Sequence, residues 1–451
     1  IPGQAGQAAP SRCLELRIMS ATIEIDQLRV GMFIHLDLGW WAHPFALSSF
    51  AIASPDQIET IRGLGLKKLR WSPEKSQLAS DAQRADAGAA TPADGVALDA
   101  PAAPAPGHGE AALDQRHAEL RAQLEATVVC EKQYREAGQA WKIAMDQLDT
   151  EPELTRDTTE GLTRSLLSKM MIDGEMCIRV LAEGLSDRGG AHALNVTVLS
   201  LLMGRVFGLS EPEMMDMGVG ALLHDVGKVD VPDRLRWLDS SFNQAEQAKY
   251  REHVVLGLAQ GKRMGLGPGP LTVLAQHHEM ADGSGFPQRL NIDRMGAAAR
   301  IVSLVNRYDN LCNPPTLAHS LTPHEALSLI FAQARSKFDT SMLNAFIRMM
   351  GVYPPGSLVQ LTDDRYATVV SVNSSRPLKP RVLVADLKVP PEEALLLNLE
   401  TQADLGIRRS LKASQLPSAV HTYLSPTPRM VYFFESTRAM ADVGTVEIGA
   451  A

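Results

Sequence analysis

The sequence predicts a mainly α-helical protein with a small α+β module ahead of the helices and a small β module behind them. Three observations carry this expectation. From about residue 162 to 350, apolar residues recur at helical spacing with no strand alternation between them. Capping signals punctuate that stretch: Ser210 with Glu213, Thr322 with Glu325, and Asp339 ahead of a helix ending at Gly351. On either side the period drops to two, in IEIDQLRVGMFIHLDL (23–38) and SLVQLTDDRYATVVSVN (357–373).

In chain order, residues 1–20 are small and polar without periodicity and read as a disordered leader, with Met19 a candidate native start. Residues 21–75 form the α+β module, in which SPDQIETIRGLGLKKLRW is a capped helix followed by a strand. Residues 76–112 are an Ala/Pro/Gly/Asp tract with too few large apolar side chains to pack, as expected of a disordered linker. Residues 113–160 read as a long amphipathic connecting helix. Its 113–150 portion is a candidate surface for a protein partner or a homodimer. Residues 161–350 make the all-helical domain. Residues 351–390 make the β module, with a hairpin at Asp363–Asp364 and a further strand in RVLVADL; 391–451 is a C-terminal extension with one candidate strand, PRMVYFFE.

Composition narrows the function. At 451 residues the chain is long for one core. A net charge of -8 argues against a nucleic-acid polymer as partner, although local cations and metals still admit a small anionic substrate. Cys13, Cys130, Cys177 and Cys312 are far apart and form no CxxC, so neither a zinc ribbon nor a disulfide framework is indicated. No apolar run reaches the ~20 residues of a membrane span and no signal pattern opens the chain, so a cytoplasmic protein without membrane insertion is expected.

The chemistry is concentrated in LLHDVGKVDVP (222–232) and QHHEMADGSGFP (276–287). An adjacent His224–Asp225 pair breaks at Gly227, and an adjacent His277–His278 pair precedes a glycine-rich turn. Imidazole nitrogen with carboxylate oxygen suits a first-row divalent metal held for phosphoester hydrolysis. His192 stands alone on a strongly apolar helical stretch, where a single histidine is more often a satisfied core residue than a ligand, and His253 sits on the helical stretch AEQAKYREHVVLGLA.

The two segments resemble the defining blocks of the HD-GYP family, bacterial cyclic di-GMP phosphodiesterases of the HD metallohydrolase superfamily. The 21–75 module resembles the small domain of unknown function that often precedes HD-GYP, through its VGM step and Trp40, His43, Pro44 and Phe45. The resemblance implies an HD-type helical bundle and makes His192, His224, Asp225, His253, His277 and His278 metal ligands. Asn306, in ARIVSLVNRYDNL, occupies the position of the family's closing Asp; an amide is a weaker, neutral ligand. Asp309, one turn on, is expected to be structural, with a ligand role as the lesser alternative. Arg188 stands where trinuclear members carry a glutamate, which favours two metals, iron or manganese, bridged by Asp225.

Within that frame Asp225 and Lys228 are the catalytic candidates, Lys228 neutralising charge on the phosphate. Lys228, Gly283, Gly285 and Phe286 are the substrate-binding candidates, the glycines letting backbone approach a ligand and Phe286 replacing the family's Tyr. Glu279 and Asp282 either orient ligand histidines or cap the turn. The segment NPPTLAHS (313–320) lacks the Arg and Lys that active members carry for phosphates; His319 is its only candidate cation. The implied function is hydrolysis of cyclic di-GMP to pGpG or GMP. The alternative is a degenerate module that binds metal or cyclic di-GMP and regulates a protein partner; a phosphohydrolase for another nucleotide is the third reading.

Overall fold

In the first of two units (residues 1–101), four short strands and one helix close around an aliphatic core. The computed structural model describes residues 21–36, 49–52, 55–63, 66–73, 76 and 108–436, with breaks at 172–175, 183, 186, 239–240, 334, 374–376, 378 and 403. The leader, nearly all of the 76–112 tract, and Trp40, His43, Pro44 and Phe45 lie outside the described residues. Strands β1 (Ala21–Glu24), β2 (Phe33–His35) and β3 (Ser49–Ala51), helix α1 (Pro55–Arg62) and β4 (Lys68–Ser72) make an antiparallel sheet of order β1-β4-β2-β3. Alternation along β1 and β2 turns Ile23 and Ile34 inward onto Ile58, Ile61 and Leu69.

The second unit (102–451) opens with α2 (His108–Gln147) and α3 (Pro152–Met170). The connecting helix is thus two helices, broken at Leu148–Glu151 where Pro152 begins α3. Strand β5 (Met176–Val180) follows, then α4 (Arg188–Val206), α5 (Glu211–Leu223), α6 (Gln244–Arg251), α7 (His253–Arg263), α8 (Pro268–Gln276), α9 (Ala297–Cys312), α10 (Pro323–Gln333) and α11 (Thr340–Met350). The capping signals act as expected: Ser210 and Glu213 close a capping box, and the Asp339 carboxylate accepts from the Ser341 and Met342 amides. Mainly helical structure with small sheets towards both ends is what the sequence predicted.

Two expectations fail. The 161–350 block is not all-helical, because β5 lies inside it. Strands β6 (Leu358–Leu361), β7 (Tyr366–Asn373), β8 (Arg381–Val384), β9 (Leu397–Asn398) and β10 (Ile407–Leu411), helix α12 (Ser418–Leu424) and β11 (Tyr432–Ser436) follow among the described residues. The path β10-β6-β7-β5-β11 puts β5 in the interior of a seven-stranded sheet, with β8 and β9 branching from β7. Four of the five β5 residues are buried, so no alternation betrayed it.

Nor is 391–451 a mere extension. It supplies β9, β10 and β11, and β11 pairs with β5 from Tyr432↔Val180 to Ser436↔Met176. A buried ion pair, Arg179 Nη1 to Glu435 Oε2 at 2.7 Å, ties the two strands, and Arg179 also donates to Thr127 of α2. Among the described residues no helix is long and apolar enough to cross a membrane.

Candidate metal centre

Helix ends bring the expected ligands together. His224 is the C-cap of α5, and Asp225 opens the 3-10 turn Val226–Asp230 that carries Lys228. Gly227 is required there: a side chain would run into the His253 carbonyl and the Gly257 amide, so only glycine seats this turn on α7. His253 begins α7, His277 caps α8, and His192 sits one turn into α4.

Asp225 lies between two groups of donors: with His192 and His224 on one side, and with His253, His277 and His278 on the other. Its Oδ2 is 3.5 Å from His192 Nε2 and 3.4 Å from His224 Nε2; its Oδ1 is 3.5 Å from His253 Nε2 and 3.9 Å from His277 Nε2. The tautomers follow from the other ring nitrogen. Nδ1 of His224, His253 and His277 faces the carbonyls of Ala221, Tyr250 and Leu274 at 2.7, 2.6 and 2.9 Å, and a carbonyl only accepts. His192 Nδ1 faces the Asp309 carboxylate at 2.6 Å. Each Nδ1 therefore carries the proton and each Nε2 presents a bare lone pair.

Those lone pairs point at one another. His192 and His224 Nε2 are 3.1 Å apart, and His253 and His277 Nε2 are 3.3 Å apart. Two acceptors cannot hydrogen-bond, and Asp225 Oδ1 and His278 Nε2 are buried with no hydrogen-bond partner. This donor set fits divalent cations. Burial pushes the imidazoles of His253, His277 and His278 down, His253 to about 4, so they stay neutral as ligation requires. Burial would raise the Asp225 carboxyl, but Lys228 and His224 outweigh it and hold it well below the usual range.

Lys228 Nζ is 2.6 Å from Asp225 Oδ2 and lies 4.5 Å from the centre of the Trp237 ring. It lines a cavity of about 290 Å³ with His277, His278, Phe286 and Asn306. The Phe286 ring stacks on His278, centroids 4.5 Å apart. Asn306 Oδ1 accepts from Asn310 Nδ2 at 2.6 Å.

At four loop positions the side chains and glycines serve the backbone. Gly283 and Gly285 are not among the residues lining the cavity; a side chain at Gly285 would strike the backbone of His278–Met280, and Gly283 serves a turn at φ 76°. Glu279 orients no histidine: its carboxylate accepts from the Gln288 and Leu290 amides at 2.6 and 2.8 Å and pins the loop. Asp282 accepts from the Ser284 amide. The turn-capping alternative holds for both. Asp309, expected to be structural, holds His192 through Oδ2 while Asn195 and Asn313 donate to its Oδ1. The signal was present: Asn306, Asp309, Asn310 and Asn313 share one face of α9.

The family of the domain of unknown function DUF3391 matches residues 20–158, and the HD domain family matches residues 152–342. The order of a DUF3391 domain and an HD domain bears out the resemblance to HD-GYP proteins. It is 27% identical over 398 residues to the cyclic di-GMP phosphodiesterase PA4108 of Pseudomonas aeruginosa, covering 86% of this chain and 91% of that protein. It is 28% identical over 211 residues to the cyclic di-GMP phosphodiesterase response regulator RpfG of Xanthomonas campestris, 45% of this chain and 56% of RpfG. Among solved structures, Bd1817, an HDG"Y"P protein from Bdellovibrio bacteriovorus, aligns over 73% of this chain and 98% of that one, at 14% identity and a TM-score of 0.37. The DUF3391 match runs past residue 75, through α2 and into α3.

Proposed function

We propose that this protein is a metal-dependent phosphodiesterase that hydrolyses cyclic di-GMP to pGpG or GMP. The observation that carries it is the pair of facing imidazole groups joined by Asp225, beside a cavity that Lys228 enters. His192, His224 and Asp225 would hold one divalent ion, and Asp225, His253, His277 and His278 a second, with iron or manganese suited to mixed nitrogen and carboxylate donors. Such ions, when bound, polarise a phosphoryl oxygen and lower the pKa of water.

The chain's own groups do the rest. Lys228 balances the Asp225 carboxylate and stands ready to meet phosphate charge. Phe286, stacked on His278, offers an apolar ring edge where a base can pack. Asp309 fixes the His192 tautomer so that its Nε2 faces the donor group. The two relatives described above are named cyclic di-GMP phosphodiesterases, which supports this substrate over another nucleotide.

The test is metal content and cyclic di-GMP turnover measured together on anaerobically purified protein. Turnover to pGpG or GMP with about two metals per chain is expected. Full metal occupancy without turnover would replace this reading with the regulatory one.

A further inference from the structure

A second cavity of about 270 Å³ adjoins the one described, and Arg188, Trp237 and Asn310 line both. His192 and Asp309 open onto it, and Thr427–Val431, the approach to β11, closes it. Two guanidiniums face this space. Arg188, at the start of α4, lies 4.1 Å over the Trp237 ring and donates to the Asn313 carbonyl at 3.2 Å. Arg429 donates to the next carbonyl, Pro314, at 3.4 Å.

Among the described residues neither arginine is ion-paired, although the chain carries net charge -8. The two repel each other, and burial with that repulsion lowers Arg188 to about 10. Asp309 shares the cavity and attracts Arg188, but its oxygens already accept from His192, Asn195 and Asn313. Two guanidiniums held together with no carboxylate bonded to either form an anion site, since each offers five N–H donors and only one is spent on a carbonyl. The site lies one α4 turn from His192.

We infer that Arg188 and Arg429 clamp the second phosphate of the cyclic dinucleotide, the one not being cleaved at the metal centre. This rests on the proposed substrate. A ring with two phosphates spans two adjoining cavities better than one. The metals and Lys228 would serve one phosphate, and the arginine pair the other. The C-terminal segment would then be part of the substrate site, carried there by the pairing of β11 with β5.

The experiment uses the full metal-loaded chain and a hydrolysis-resistant phosphorothioate analogue of cyclic di-GMP. Calorimetric titration of Arg188→Gln and Arg429→Gln should each show affinity weakened about tenfold or more, the worth of a charge-assisted contact. Arg188→Lys should fall between, because charge remains while the fork is lost. Metal content and thermal stability should be unchanged, and so should affinity for inorganic phosphate, which has no second phosphate to place. Equal analogue affinity in wild type and both variants overturns the clamp and leaves the proposed function standing. Parallel loss of inorganic phosphate or of metal also overturns it, since the arginines would then act on the metal centre. A wild type that does not bind the analogue overturns the substrate reading and the clamp with it.

Discussion

His192 Nδ1 and Asp309 Oδ2 lie 2.6 Å apart, joining residues 117 positions distant and making α9 the support of a candidate ligand carried by α4. The Asp309 carboxylate is fully buried, and its other oxygen accepts from Asn195 and Asn313. Asp309→Asn should therefore weaken metal binding at the His192 group about 10- to 100-fold. Chelator competition followed by elemental analysis reads this directly. Unchanged affinity would mean that His192 does not ligate or needs no support.

Asp225 is common to both donor groups, whereas His192 belongs to one. Asp225→Ala should lose both metals and His192→Ala only one, with both variants folded. Elemental analysis beside circular dichroism checks the pair. Equal stoichiometry in the two variants would remove Asp225 from the bridging position.

For Lys228 the expectation is a loss of rate without loss of metal. A contact to a developing phosphoryl charge is worth ~3 kcal/mol, about a hundredfold in turnover. Lys228→Ala should show that drop at unchanged metal content. Turnover equal to wild type would reduce the residue to a partner of Asp225.

Asn306→Asp should tighten metal binding, because it puts an anionic oxygen on a residue that lines the cavity beside His277 and His278. Its Oδ1 can still accept from Asn310, so the fold should tolerate the change. An unaltered chelator titration would place Asn306 outside the metal's reach.

The metal-free protein should lose stability in mild acid. Burial holds His253 at about 4 when folded, against about 6.5 unfolded, and His277 and His278 shift the same way. Between those pH values the unfolded chain binds protons that the folded chain refuses. Stability is thus complete above pH 6.5 and falls as pH drops towards 4, by on the order of 3 kcal/mol for His253 alone. Urea unfolding of chelator-treated protein at pH 7 and pH 5 measures it. A flat or rising profile would show that these imidazoles are not held neutral.

Much of the candidate centre was legible because its candidate ligands travel in local pairs at helix ends. His224–Asp225 precedes a break at Gly227, and His277–His278 ends α8, so adjacency and capping already aimed the donors. The turn Asp282–Phe286 misled, since glycines that suit close ligand approach equally suit close backbone packing, and at Gly285 the backbone of His278–Met280 takes that space. Strand β5 was invisible for a related reason: an interior strand buried on both faces has no alternation to show.

By itself the sequence determined the helices, their caps and the small sheets at either side, set by spacing within a few residues, and its family resemblance supplied the order of the candidate ligands. Only the tertiary structure decided which distant groups meet. Asp309 reaches His192, β11 returns to β5, and Arg429 arrives beside Arg188, each across more than a hundred residues. Such contacts are chosen by whole-chain packing and by the requirement that buried polar groups find partners, and no local pattern records that choice.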